Sequence, residues 1–378
     1  MEKVGQIRLR TSFGLKKKVK TFFLILFGAF ISVLFLCLGV LLIMSPGKIR
    51  QFTNEDGEKI QNSLAEKCFI DINGARMGMI IKSKDISNPV LLFVHGGPGM
   101  PEYFLTEDYP TGLEESFTVV YWDQRGAGLS YDSNIDKSTI SIEQYINDTI
   151  AVTNYLQKRF GQTGIYLMAH SWGTYFGIQA VQEAPQLYKA YIAVGQITNQ
   201  NESEKLAYEY MLDYYANIGD RKTLEKLKEN NYLSDGYKRI RDDVMHRSGI
   251  GSTHDMKSVV TGIFLASLKN REYTLNEKIN IWRGKLFLNR NVHLKMTSDL
   301  RKAISKLDVP TYFFSGAFDY TVNYKMAEEY LRQIEAPVKG FYLFKNSAHS
   351  PIFEEPYKVG QIVKSDVLRN SNNLADAK

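Results

Sequence analysis

A serine held between small residues at the end of an apolar run can serve as a nucleophile, and Met168-Ala169-His170-Ser171-Trp172-Gly173 has that form. The hydroxyl is weak at its own pKa, so it needs a sharp strand-to-helix turn, a nearby base and donors for the oxyanion. The turn asks for small residues two positions either side. Gly173 meets this on the helix side, while Ala169 stands where the usual G-x-S-x-G has glycine. The plainer reading of such a serine is a helix N-cap. The downstream residues favour chemistry, because for a serine presented this way the acid and then the histidine come later in sequence. Val309 to Gly316 reads as a buried strand that delivers Asp319 just past its end, and Gly340 to Phe344 reads as another, with His349 shortly after it. His349 is thus the expected general base. His95 and His170 sit beside motif residues, and His246, His254 and His293 fall in a helix-rich segment. Asp308 rivals Asp319 as the acid, but it precedes its strand and so belongs at the opposite edge of a sheet whose chemistry gathers beyond the carboxyl ends.

Upstream, the apolar run Val90 to Val94 ends in His95-Gly96-Gly97-Pro98-Gly99. Three glycines in five residues leave backbone N–H groups unshielded, which suits an oxyanion hole whose donors are worth about 3 kcal/mol each. The expected donors are the N–H groups of Gly97 and Trp172. A Gly-Pro turn without chemistry is the alternative. A further run, Thr118 to Trp122, ends in Asp123-Gln124-Arg125-Gly126-Ala127-Gly128-Leu129-Ser130. Its Asp and Arg bracket a tight glycine turn, and a local ion pair holding the loop is expected there rather than proton transfer.

Taken in order, H-G-G-P-G, D-Q-R-G-x-G-x-S and x-H-S-W-G resemble the proline iminopeptidase branch of the α/β-hydrolases, over about Asp71 to Pro351 with a gap. The resemblance implies a triad of Ser171, Asp319 and His349, with Gly97 and Trp172 at the oxyanion hole. It also implies glutamates in a cap domain that hold the substrate's free α-amine. Glu202, Glu204 and Glu209, at the start of the inserted segment, are the candidates for that role, although acids on an amphipathic helix ordinarily form a solvated face.

Eight apolar runs supply the strands to position these residues: those near 68–72, 76–81, 90–94, 118–122, 164–168, 190–194, 311–315 and 340–344. With helical patterns such as Ile142 to Phe160 between most of them, they predict an α/β-hydrolase fold, an eight-stranded mostly parallel sheet with helices on both faces. Residues 62–195 and 302–369 form the two parts of this core, and residues 196–301, which hold amphipathic patterns and no comparable strand, form an inserted helical cap or lid. Tyr208, Tyr210, Tyr214 and Tyr215 could line its inner face, though aromatics at this spacing are more often plain core.

Residues 22–44 carry no charge over 23 positions, enough at 1.5 Å per residue to cross a hydrocarbon layer of about 30 Å. Residues 1–21 hold seven basic side chains and one Glu, which places them in the cytoplasm and the catalytic part outside. A transmembrane signal anchor is expected, with residues 45–61 as a juxtamembrane spacer; a secreted form released by cleavage near Ser45-Pro46-Gly47 is the alternative. Beyond residue 21 the chain is neutral, with 40 basic and 40 acidic side chains, so nothing recommends a nucleic-acid partner. Cys37 lies in the span and Cys68 in a strand, so no disulfide is expected. No metal-ligand spacing or dinucleotide fingerprint is present, and no cofactor is expected. Residues 370–378 are polar and expected to fray. The expected function is a membrane-anchored serine hydrolase acting through an acyl-enzyme. By resemblance its substrate is a peptide with an N-terminal prolyl or other small residue. An ester or amide of a small or lipid-like molecule is the alternative, and a silent binding protein on a hydrolase scaffold is a remoter one. Epoxide- or haloalkane-type chemistry would need a carboxylate where Ser171 stands.

Overall fold

Strands such as Val90–Val94 and Thr118–Trp122 are apolar without alternation, and each of their residues is buried, because a parallel sheet is covered on both faces. The computed structural model describes residues 2–291 and 298–378; His293 lies outside them. Its strands are β1 (Leu64–Ile72), β2 (Ala75–Ser83), β3 (Val90–Val94), β4 (Thr118–Trp122), β5 (Ile165–His170), β6 (Tyr188–Val194), β7 (Thr311–Gly316) and β8 (Lys339–Phe344). They form one sheet in the order β1-β2-β4-β3-β5-β6-β7-β8. β2 runs antiparallel to both its neighbours, and all other pairs are parallel. All eight expected strands are present.

Helix α1 (Glu2–Ile43) precedes the sheet, and α2 (Ile142–Phe160) and α3 (Trp172–Glu183) flank β5 in sequence. Between β6 and β7 come α4 (Gln200–Asn217), α5 (Arg221–Glu229), α6 (Asp235–Arg247), α7 (Leu265–Lys269), α8 (Leu275–Asn291) and the short α9 (Leu300–Ala303). α10 (Tyr324–Gln333) joins β7 to β8, and α11 (Pro351–Glu354) and α12 (Pro356–Ser365) come after β8. α2 starts where Ser141 Oγ accepts from Gln144 N and stops at Gly161, whose φ of 65° suits a left-handed C-cap. One face of the sheet packs on α2, α3 and α10 through residues such as Tyr145, Phe176 and Tyr330. The other packs on α12 through Val359, Ile362 and Val363. The inserted helices have a small core of their own that includes Met211, Tyr215, Leu227 and Val244, with Tyr208, Tyr210 and Tyr214 packed against it. These tyrosines are therefore core, not cavity lining.

Two expectations are corrected. Arg125 does not pair with Asp123. Its guanidinium is buried against Asp148 of α2, Nε to Oδ2 2.7 Å, while Asp123 Oδ2 accepts from the Leu129 N–H at 2.7 Å. The loop is structural, but its ion pair reaches across to a helix instead of closing locally. The last residues do not fray. Asp366 Oδ2 and Oδ1 accept from the N–H groups of Leu374 and Asn373, and Ala377 bridges to Phe341 beside the β8 edge.

Within α1, Lys20–Ile43 is 24 residues long and apolar enough to cross a membrane. Its end is fastened to the inserted helices. The fully buried Lys278 ammonium donates to the carbonyls of Met44 (2.8 Å) and Leu268 (2.6 Å), so one cation caps the C-terminal ends of α1 and α7. Gly47 N donates to Arg271 O, Arg50 N to Glu272 Oε1, and Lys82 Nζ to Arg50 O. The first residues after the helix are thus stitched to the body.

Candidate active site

Ser171 joins β5 to α3 with φ 50° and ψ −119°, in the positive-φ region that costs a non-glycine residue about 1–3 kcal/mol. Gly173 makes this possible: a Cβ there would lie 2.4 Å from Val94 O. Ala169 in the place of the usual glycine is matched one turn into α3 by Gly177, where a Cβ would come within 3.2 Å of the Ala169 methyl. The helix supplies the room that the strand residue gives up.

His349 and Asp319 meet beyond the ends of β8 and β7, with Nδ1 to Oδ2 2.9 Å. Asp319 is wholly buried, and its other oxygen accepts from Val322 N. The pair leaves His349 Nε2 buried with no hydrogen-bond partner among the described residues, in the wall of the cavity that Ser171 also lines. Gly195, at the end of β6 with φ 60°, makes space for the pair: a Cβ there would sit 2.9 Å from His349 Cε1 and 3.2 Å from Asp319 Oδ2. Asp308 lies at the far edge of the sheet, exposed and paired with Lys306.

Gly97 has φ 128°, reached only by glycine, and among the described residues nothing accepts from its N–H. Trp172 is the first residue of α3, where the N–H groups are free of intrahelical partners. A buried network joins the two loops. Trp172 Nε1 donates to Gln124 Oε1, Gln124 Nε2 to His95 O, and Gln124 N to His95 Nε2, so that His95 Nδ1 is left to donate to Gly96 O. Burial pushes His95 down to about 4, which keeps the ring neutral in this role.

Sequence reasoning did not find Glu102. Its buried carboxylate accepts from Gly96 N at 2.7 Å and from His170 Nδ1 at 2.8 Å, and His170 Nε2 contacts the His349 carbonyl oxygen at 2.9 Å. Burial alone would raise Glu102 and lower His170. Their mutual attraction and hydrogen bonds outweigh it, so the carboxyl sits below and the imidazole above its ordinary value. This ion pair braces the glycine loop against the loop that carries His349. Its two members are 68 positions apart, and no local pattern announces it.

The cavity over Ser171 encloses about 390 Å³. Met100, Met256, Val259, Ile263, Trp282 and Leu286 give it apolar walls, and Arg241, Asp242, His246 and Lys285 give it polar ones. A larger open depression, about 710 Å³ over Asn54 and Glu58–Ser63, holds no comparable set. None of Glu202, Glu204 and Glu209 lines the cavity. Glu204 is bound by the Arg241 guanidinium, whose Nε lies 2.8 and 2.9 Å from its two oxygens; Glu202 pairs with Arg301, and the exposed Glu209 lies 3.8 Å from Lys205. The carboxylates that do line it are Glu102 and Asp242.

Comparison with known proteins agrees with this fold. The alpha/beta hydrolase fold family matches residues 89–356. A probable aminopeptidase of Bacillus subtilis is 31% identical over 311 residues, which cover 78% of this chain and 94% of that protein. A proline iminopeptidase of Thermoplasma volcanium is 22% identical over 82% of this chain and 98% of its own length. Among solved structures, a proline iminopeptidase-related protein of Thermus thermophilus superposes with a TM-score of 0.55 at 18% identity, over 81% of this chain and 99% of that one. With the strand order, the serine turn and these relatives in agreement, the chain is a hydrolase of the α/β-hydrolase family, with aminopeptidases and proline iminopeptidases among its relatives.

Proposed function

We propose that the chain is a membrane-anchored serine hydrolase with Ser171, His349 and Asp319 as its triad. The observation that carries this is His349 Nε2, buried with no partner among the described residues in the cavity wall shared with Ser171 while Asp319 holds Nδ1. Asp319 fixes the ring with its proton on Nδ1, so Nε2 is free to take the Ser171 proton as Oγ attacks the substrate carbonyl. The oxyanion is held by the N–H groups of Gly97 and Trp172, His349 passes the proton to the leaving group, and water releases the acyl-enzyme.

Aminopeptidase action on peptides with a prolyl or other small first residue is the reading the relatives support. A free α-amine in this cavity would find Glu102 or Asp242, not the three glutamates of α4. A specific observation favours the ester or amide reading beside it. Glu102 is engaged by His170 and Gly96, Asp242 is exposed and paired with Arg241, and the walls are largely apolar. The inserted helices serve in either case as a lid, since α6 and α8 supply cavity residues.

Retention of α1 as an anchor is supported by Lys278, and the seven basic side chains of residues 1–21 support a catalytic part outside. Cleavage after Met44 would take an acceptor from a buried ammonium. N-terminal sequencing of the mature protein tests this, and a start beyond Met44 would overturn it. The hydrolase reading is tested with Ser171→Ala, which is expected to abolish both turnover and labelling by a serine-directed phosphonate. Labelling that survives in the variant would refute the triad. Turnover of a prolyl-arylamide, lost when its amine is blocked, decides for the aminopeptidase; turnover of an aryl ester alone decides against it.

A further inference from the structure

The inserted helices present an apolar strip on the side where α1 enters. Val260, Phe264 and Leu265 on the turn into α7, and Ile279 and Leu286 on α8, are 39–60% exposed. Ile279, Trp282 and Leu286 stand at i, i+3 and i+7, one stripe of a helix. The Phe264 ring meets the Trp282 ring at 5.2 Å, and Trp282 Nε1 donates to Ser267 Oγ, which merges the α7 and α8 rows into one surface. A soluble domain rarely leaves such a surface open unless something covers it.

The position of the α1 end identifies the cover. Lys278, next to Ile279, donates to the carbonyl of Met44, one residue past the apolar span, and to Leu268 at the end of α7. Thr274, just before α8, bridges to Pro46. The strip therefore begins within a helical turn of the point where the span leaves the hydrocarbon. Exposed Lys257, Lys269 and Arg290 flank it, as cations flank helices that lie in a membrane surface. The strip is also continuous with the cavity: Leu286 belongs to both, and Val259 and Ile263, interleaved with Val260 and Phe264, face the cavity.

Resting on the reading of α1 as a membrane span and Ser171 as nucleophile, we infer that α7 and α8 sit in the interfacial layer of the same bilayer and that the cavity loads from it an ester or amide bearing a long hydrocarbon chain. The chain would pass between Ile263 and Leu286 toward Ser171. Hydrolysis would then run through the Ser171 acyl-enzyme, with the alcohol or amine leaving first and water releasing the fatty acid.

The test uses the full chain in vesicles of equal phosphatidylcholine and phosphatidylglycerol, in a Cys68→Ser background. An environment-sensitive fluorophore is placed on Cys37 within the span or, in Cys37→Ser protein, on Val260→Cys, Leu265→Cys or Ile279→Cys, and brominated phospholipid is the quencher. Quenching at all four positions is the expected result. Quenching at Cys37 but at none of the other three would overturn the lid placement and leave the anchor standing. No quenching at Cys37 would overturn the anchor itself. Strip labels blind to lipid but self-quenching would assign the face to a second copy and refute the inference.

The substrate arm compares p-nitrophenyl laurate with p-nitrophenyl butyrate. The ratio of their kcat/KM values in vesicles is expected to fall at least about tenfold in Val260→Asp/Leu265→Asp protein, since each buried methylene contributes severalfold. An unchanged ratio would overturn loading from the bilayer. No Ser171-dependent turnover of either ester would overturn the substrate class; the hydrolase reading would fall with it only if phosphonate labelling also proved independent of Ser171.

Discussion

Gly97→Ala tests the oxyanion assignment where the backbone leaves least latitude. Alanine at φ 128° carries a strain of about 1–3 kcal/mol, and its Cβ would lie 2.5 Å from Gly99 N and 2.8 Å from Met100 N. Both neighbours are backbone, so no rotamer relieves the contact and the loop must shift, carrying the Gly97 N–H with it. Loss of one such donor removes about 3 kcal/mol of transition-state stabilisation, or roughly a 150-fold fall in kcat. KM should move far less, because the donor acts on the charge that develops during reaction. The assay is steady-state hydrolysis of an aryl ester, with active sites counted by phosphonate titration so that only folded enzyme enters the rate. Gly112→Ala is the control for strain alone: it has φ 68°, open space around the new methyl and no place in the cavity. It should lower stability by about 1 kcal/mol and leave kcat unchanged. Gly97→Ala protein that titrates fully and turns over within about threefold of wild type would refute the assignment.

Gly195→Ala should separate His349 from Asp319, because its methyl would press on both; a fall in kcat of about 100-fold or more with the fold retained is expected, read from kcat beside a thermal unfolding curve. Glu354 accepts from the N–H groups of His254 and Ala348, and burial, only partly offset by these bonds, pushes its carboxyl up to about 7. The folded state therefore holds a proton that the unfolded state releases near 4.5, and stability contributed by the protonated carboxyl is lost as pH rises from there to about 7. Glu354→Gln should remove that slope, so its stability relative to wild type rises by about 2–3 kcal/mol across the window in denaturant titrations; parallel curves would refute the shift. Arg125→Met should destabilise by about 3–5 kcal/mol, since Asp148 is then buried without its guanidinium, and adding Asp148→Leu should restore most of the loss in the same titration.

Residues that answer to a local rule were readable in advance. Val90–Val94 and Thr118–Trp122 are unbroken apolar runs because both sheet faces are covered, and Asp319 and His349, the proposed acid and base, come shortly after strands at whose carboxyl ends they meet. The features that escaped depend on partners distant in the chain. Glu102 is one acid in a loop until His170 is brought beside it, and Gly195 is one glycine until His349 and Asp319 fill the space it leaves. Arg125 finds Asp148 across a helix although Asp123 is two positions away. Periodicity placed Glu202, Glu204 and Glu209 on a helix without telling which way they turn, and basic side chains on α6, α9 and α4 itself take them. The C-terminal residues were misread because polarity was taken for looseness, whereas Asp366 gathers their N–H groups from within the fold.

The Lys278 clamp has a mechanical consequence. One buried ammonium joins the end of α1 to the helix that carries Trp282, Lys285 and Leu286 into the cavity wall, and the hydrogen bonds of Gly47 and Arg50 leave the connection without slack. A spanning helix adjusts its tilt to the thickness of the layer around it. With α1 as a span, that tilt acts as a lever on α8, so the width of the cavity becomes coupled to bilayer thickness, and the same chain would work at different rates in thin and thick membranes without any change in its own sequence.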